Sequence, residues 1–149
     1  MKDRLFENIR EELRARLLRL KEAAQEAHAA ATDAGSKAES KYDTRNLEAS
    51  YLASGQAKQV EELADALRLF EAFDVMSIET AETIVMGSLV ETSDGASYLL
   101  APSAGGLEII HDGREVTVLT PSSPLYQKLL GRAPGEWIEG SPRVIASVW

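Results

Sequence analysis

One amphipathic pattern dominates the first half of the chain: FENIREELRARLLRLKEAAQEAHAAAT, residues 6–32. Its apolar residues recur at steps of three and four, the spacing of the buried stripe of an α-helix. The stripe begins with Phe6 and Ile9 and ends in alanines. Residues 38–70 carry a second stripe with the opposite gradient, from small residues to Phe70. Because stripes of opposite gradient match only in antiparallel order, the sequence predicts an antiparallel coiled-coil hairpin.

The predicted helices cover about residues 4–32 and 37–73, with the hairpin tip at Thr32–Ser36. Gly35 suits the left-handed position that follows a helix. Ser36 and Glu39 have the spacing of a capping box that begins the second helix. At ~1.5 Å per residue the first helix would be roughly 40 Å long. A chain of 149 residues does not need such an arm for its own stability, so the arm indicates a function.

The composition changes near residue 75, and eight of the ten glycines and all five prolines follow it. Short apolar runs there alternate with turn residues, which is typical of strands joined by tight turns. The predicted strands are 83–90, 97–101, 107–110, 115–119 and 143–148, with one short helix over 123–130. The sequence therefore predicts an α+β protein: a helical hairpin domain, 1–75, and a small antiparallel sheet domain with one helix, 76–149.

Composition excludes several classes of function. There is no cysteine, so disulfide scaffolds, thiolate metal sites and cysteine nucleophiles are ruled out. The two histidines, His28 and His111, are far apart in sequence, and we expect both on the surface rather than in a zinc or catalytic site. The net charge of −8 favours a protein partner over a phosphate backbone. With no long apolar run and no secretory signal visible, we expect a cytoplasmic protein with no membrane contact.

Three carboxylates, those of Asp33, Glu39 and Asp43, fall within eleven residues around the predicted tip, beside Lys37 and Lys41. One interpretation is structural, with Glu39 as the capping-box acid and the others as helix-surface charges. The other is functional: acids at the end of a long arm can be delivered into another protein's cavity to direct a hard cation such as Mg²⁺. From the residues alone, both interpretations stay open.

A second motif carries a family resemblance. Residues 117–136, TVLTPSSPLYQKLLGRAPGE, resemble the carboxy-terminal domain of the bacterial transcript-cleavage factors GreA and GreB. The shared positions are Ser123-Pro124-Leu125, Leu129-Leu130-Gly131, and Gly135 followed by an acid. Residues 86–90, MGSLV, resemble the strand that opens this domain in the family. With the hairpin, the resemblance covers nearly the whole chain.

The resemblance implies an FKBP-like domain after an antiparallel coiled coil, in a monomer that binds RNA polymerase. In the family, the globular domain docks at the rim of the polymerase secondary channel and the coiled coil enters it. The factor is then not an enzyme, because the catalytic centre is the polymerase's. It has no cofactor of its own beyond a Mg²⁺ shared with that centre, holds no metal stably alone, and makes no sequence-specific contact with nucleic acid. The implied docking residues are Ser123, Pro124, Leu125 and Lys128.

The tip departs from the family pattern Gly-Asp-x-Ser-Glu-Asn. The aligned segment here is GSKAES, residues 35–40, which keeps the glycine at Gly35 and the glutamate at Glu39. Ser36 stands where the family has aspartate, so one metal-directing carboxylate is missing unless Asp33 or Asp43 replaces it. The neighbours at the tip are Lys37, Lys41 and Tyr42. The resemblance therefore implies polymerase binding and modulation of elongation, with doubtful stimulation of cleavage of backtracked RNA.

Two other functions compete with this one. The first is an FKBP-like protein-binding module, including a peptidyl-prolyl isomerase. That activity needs an aromatic-lined pocket, and residues 76–149 contain four tyrosines and tryptophans: Tyr98, Tyr126, Trp137 and Trp149. The second is a protein similar to regulators of nucleoside diphosphate kinase, without Gre activity. The long predicted hairpin favours the Gre interpretation, since those regulators have a shorter one.

Overall fold

The computed structural model describes residues 2–32, 45–78 and 82–149. Two long helices come first, then a five-stranded sheet with one short helix, which confirms the predicted α+β class. The elements are α1 (Lys2–Thr32), α2 (Arg45–Ala72), a 3₁₀ turn (Val75–Ser77), β1 (Leu89–Thr92), β2 (Ser97–Leu100), β3 (Glu108–His111), β4 (Arg114–Leu119), α3 (Pro124–Leu129) and β5 (Ile145–Val148). The predicted tip beyond Thr32 and its capping box lie outside the described residues.

The chain divides into two compact units. The first, called here the sheet unit, comprises Met1–Arg10 and Ala66–Trp149, so the start of α1 and the end of α2 belong with the sheet. The second, the helical unit, comprises Glu11–Asp65. The predicted domain boundary at residue 75 stays a prediction.

The strands lie in the order β3-β4-β2-β1-β5. All neighbouring pairs are antiparallel except β2 and β4, which are parallel, so the sheet is mixed and the prediction of a purely antiparallel sheet was wrong. A parallel pair needs a connection of about a dozen residues or more. Residues 101–113 provide it, and they contain β3, which pairs on the outer side of β4.

The strand predicted over 83–90 was placed too early, since β1 begins at Leu89. A turn precedes it: the Ser88 amide donates to the Val85 carbonyl at 3.0 Å, and Gly87 has a φ of +96°. A Cβ at Gly87 would lie 2.3 Å from Ile78 Cδ1 and 3.1 Å from the Phe73 ring. A side chain here would displace Ile78 and would have to adopt a φ that L-residues rarely take, so the position favours glycine.

One face of the sheet packs against α3. Val90, Leu100 and Ile145 from the strands are fully buried in one cluster with Leu129 of α3. Alternation along the strands turns residues such as Leu89 and Leu99 to the opposite face, and these are buried as well. Since both faces carry buried side chains, the sheet is the centre of its unit.

The helix ends add further apolar packing to the sheet unit. The Phe6 ring lies 5.1 Å from the Phe70 ring and 5.5 Å from the Phe73 ring, between centroids. Arg10 donates hydrogen bonds to the carbonyls of Phe70 and Phe73, the latter at 3.0 Å. These carbonyls lie at and just beyond the end of α2, where a helix leaves acceptors without partners. The start of α1 is thereby fastened to the end of α2.

Candidate functional site

The predicted docking residues lie on and before α3, whose ends are well defined. Ser123 is the N-cap, and its hydroxyl accepts from the Tyr126 amide at 3.5 Å. Pro124 takes the first helical position, where its lack of an N–H costs nothing. After the helix, Gly131 has a φ of +79° and its amide donates to the Ile84 carbonyl at 2.8 Å. The sequence motif thus encodes a capped six-residue helix.

Some side chains of α3 are buried in the core, and others lie at the surface. Tyr126 and Leu129 are buried, and burial raises the pKa of the Tyr126 hydroxyl. Pro124 and Lys128 are exposed, while Leu125 is half-buried against the core. The structure therefore brings three of the four predicted docking residues to one outward side of α3. The fourth, Ser123, acts in the N-cap.

A groove of about 380 Å³ runs beside α3, lined by Pro124, Leu125, Lys128, Ile138 and residues 139–143. We call it the α3 groove. Its far wall is held by backbone bonds: the Ile138 amide donates to the Arg143 carbonyl at 3.0 Å, and the Ser141 amide donates to the Ile138 carbonyl at 3.1 Å. A Cβ at Gly140, whose φ is +73°, would lie 3.7 Å from Lys128 Nζ. The ammonium group therefore lies over the loop.

Arg143 stiffens this wall and adds a second cation to it. Its Nη1 donates to the Tyr98 hydroxyl at 2.9 Å, its Nε donates to the Ser141 hydroxyl at 3.1 Å, and Nη1 lies 3.7 Å from Asp94 Oδ2. With Lys128 and Glu139 also in its lining, the α3 groove joins an apolar floor to the ammonium group of Lys128 and to an Arg143 that is already paired with Asp94. Such a surface fits a protein segment that offers an apolar residue and a carboxylate.

The sequence missed two features of this site. No apolar period or motif marks residues 139–143 as the second wall, because backbone pairing of residues 136–138 with residues 143–145, including the bridge between Trp137 and Val144, brings them beside α3. His111, expected on the surface, is 6% exposed. It ends β3 opposite Arg114 of β4, and the two residues line the same cavity. His28 is exposed, as predicted.

The tip residues are not part of this site. Asp33, Glu39 and Asp43, together with Ser36, Lys37, Lys41 and Tyr42, lie outside the described residues. In the part of the chain that is described, no group of three or more acidic, histidine or cysteine side chains is arranged to hold a metal ion. None of the helices described combines the length and apolar character needed to cross a membrane.

Comparisons with known proteins give matches among solved structures alone. No protein-family model and no curated protein matches the chain. GreA factor homolog 1 of Thermus thermophilus matches with 19% identity over 94% of each chain, at a TM-score of 0.37. Gfh1 of Thermus aquaticus matches with 18% identity over 93% of this chain and 92% of that one, at a TM-score of 0.34. Both TM-scores are below 0.5, so neither likeness defines the fold of this chain.

Proposed function

We propose that this protein binds bacterial RNA polymerase at the secondary channel as a monomeric Gre-type elongation factor, docking through the α3 groove. The observation that carries the proposal is that residues 123–131 both build α3 and leave part of its surface exposed. Its Leu129 and Ser123 build and cap α3, while its Pro124 and Lys128 remain exposed beside the groove. In this proposal the sheet unit is an FKBP-like domain and α1 with α2 forms the antiparallel coiled coil that enters the channel.

Binding of the full chain to purified bacterial RNA polymerase core enzyme tests the docking surface. Lys128→Glu reverses an exposed charge of the groove, and we expect it to weaken binding about tenfold, which is about 1.4 kcal/mol. Arg132→Glu makes the same change at an exposed residue that does not line the groove, and we expect less than a twofold effect. Equal effects of the two variants would show that docking does not use the α3 groove.

A wild-type chain that does not bind the polymerase at all would overturn the function itself. That result would favour the alternative of an FKBP-like module with another protein partner. Circular dichroism of each variant separates lost contact from lost folding, because neither exchanged side chain is buried.

We further propose that the bound factor stimulates cleavage of backtracked RNA weakly. Ser36 is neutral where the Gre pattern has a carboxylate. At an effective dielectric of ~20, a carboxylate and a dication ~4 Å apart gain several kcal/mol before desolvation is subtracted. A loss of ~3 kcal/mol lowers a rate by ~100-fold. The lysines at 37 and 41, next to Glu39, further oppose a cation.

Cleavage of the 3′ end of RNA in backtracked polymerase complexes tests this second proposal. We expect little cleavage with the wild type and a gain with Ser36→Asp. Robust cleavage by the wild type that Glu39→Ala abolishes would contradict the proposal, and it would indicate that Asp33 or Asp43 completes the carboxylate pair.

A further inference from the structure

A second cavity lies on the sheet face opposite α3, within the sheet unit. Its volume is about 370 Å³, and its apolar lining comes from Leu89, Val116 and Trp149. Strand register brings the other lining residues to the same face: Ser97 lies opposite Val116, and Arg114 lies opposite His111. We call it the His111 cavity. It shares no lining residue with the α3 groove, and the proposed function does not use it.

The walls of this cavity are held in place by the backbone. Leu89 and Trp149 exchange two backbone hydrogen bonds, each 2.9 Å long, so the main chain of Trp149 is held beside β1. Trp149 is 37% exposed and stands at the rim, whereas Leu89 and Val116 are buried. A cavity of about 150 Å³ is enough for one benzene ring. The His111 cavity is therefore large enough for a small ring compound without rearrangement of the sheet.

The cation that lines the His111 cavity is already paired with an acidic side chain. Arg114 Nη1 lies 2.6 Å from Glu91 Oε2, and the pair bridges over β2. Asp112 is mostly exposed and belongs to the turn between β3 and β4. Because the cation is already paired with an acid, a charged ligand would have to compete with that pair. The lining favours a neutral ligand.

One buried polar atom has an unmet hydrogen bond. His111 is 6% exposed, and its Nε2 has no hydrogen-bond partner among the described residues. Asp112 Oδ2 lies 3.4 Å from it, close enough for an ion pair but outside hydrogen-bond geometry. A buried polar atom in this state costs free energy that a ligand regains by supplying the missing bond.

We propose that the His111 cavity binds a small, neutral, planar ring compound that carries one hydrogen-bonding group, and that this group pairs with His111 Nε2. The ring packs between the side chains of Leu89 and Val116 and the indole of Trp149. The pocket has the size and the apolar side chains that are typical of small-molecule sites, and among its polar lining residues His111 carries the unmet hydrogen bond.

Titration of the ¹⁵N-labelled full chain with phenol, and with benzene as the matched probe without a hydroxyl, tests the proposal by NMR. We expect phenol to give saturable shifts at the cavity residues and to bind about three- to tenfold more tightly than benzene, the range of one neutral hydrogen bond. No saturable shift with phenol, shifts centred elsewhere, or equal affinity for the two probes would each overturn it.

Substitution of the two histidines supplies the matched control. His111→Phe keeps a ring of similar size without the nitrogen, and we expect phenol affinity to fall three- to tenfold while benzene affinity stays the same. His28→Phe, at an exposed position of α1, should change neither affinity. If His111→Phe does not fold, Trp149→Ala removes the rim side chain instead and should weaken both probes. Unchanged phenol affinity in a folded cavity variant contradicts the assignment.

Discussion

The sheet unit and the helical unit use the same two helices in different ways. In the sheet unit, Leu5, Phe6 and Ile9 of α1 and Phe70 of α2 are fully buried. In the described part of the helical unit, Leu13 is the one buried hydrophobic side chain, and Leu17, Leu20 and Leu63 are half-buried. Alanines follow along α1, and they bury little area. A single helix thus passes from a densely packed end into a segment with little apolar burial.

This difference indicates where the stability of the helices originates. Most helical stability in proteins comes from tertiary packing rather than from intrinsic propensity. Among the described side chains of α1 and α2, the buried apolar ones are concentrated where the helices belong to the sheet unit. In the helical unit, Arg16 and Glu12 form an exposed i,i+4 ion pair at 2.8 Å, which contributes little by comparison.

The largest expected difference between the units concerns the aromatic cluster. Phe6→Ala removes a fully buried ring that contacts two other rings, and we expect a loss of ~3–5 kcal/mol in the free energy of unfolding. Leu18→Ala, on the same helix but 59% exposed, should cost less than ~0.5 kcal/mol. Urea unfolding measures both. Similar losses in the two variants would break the contrast between the units.

Two arginines of α1 allow a finer comparison. Arg10, with an 18% exposed side chain, donates to carbonyls at the end of α2, and its replacement by Met should cost ~1.5–3 kcal/mol of stability. Arg16→Met breaks an exposed ion pair in the helical unit and should cost ~0.3–0.5 kcal/mol. Denaturant midpoints at low and high salt test this. The loss of stability in Arg16→Met should become smaller as the salt concentration rises. If Arg10→Met loses no more stability than Arg16→Met, Arg10 does not anchor the start of α1 to the end of α2.

The smallest expected effect is in a surface turn of the sheet unit. The Thr92 hydroxyl donates to Asp94 Oδ1 at 2.5 Å and, with the Ala96 amide and Arg143, lowers the pKa of that carboxyl. A lowered folded-state pKa stabilises the fold above the unfolded-state pKa, and the contribution is lost as the pH falls through the folded-state value. Thr92→Val should therefore raise the pKa of Asp94 and remove part of this acid dependence.

An NMR titration of the Asp94 carboxyl in the wild type and the variant measures that shift. Thr83→Val, at an exposed threonine outside the turn, is the control and should leave it unchanged. If the pKa of Asp94 is the same in Thr92→Val as in the wild type, the Ala96 amide and Arg143 lower it and the Thr92 hydroxyl does not.

Local patterns in the sequence predicted most individual elements. The three- and four-residue apolar spacing predicted α1 nearly to its ends, and Ser-Pro followed by a glycine predicted the capped helix α3. The turn at Asp112-Gly113 and the strands on either side of it were also predicted. These features depend on residues within a few positions of one another, so the chain specifies them without reference to the rest of the fold.

Only the tertiary structure decided what depends on partners distant in sequence. The parallel pairing of β2 with β4 follows from the path of residues 101–113 across the sheet, and neither strand carries a local signal for it. The burial of His111 and the second wall of the α3 groove arise in the same way, from register and from the bridge that returns the chain beside α3. Period-two patterns mark the two faces of a strand but leave its neighbours undetermined, because every strand offers the same backbone donors and acceptors to any other.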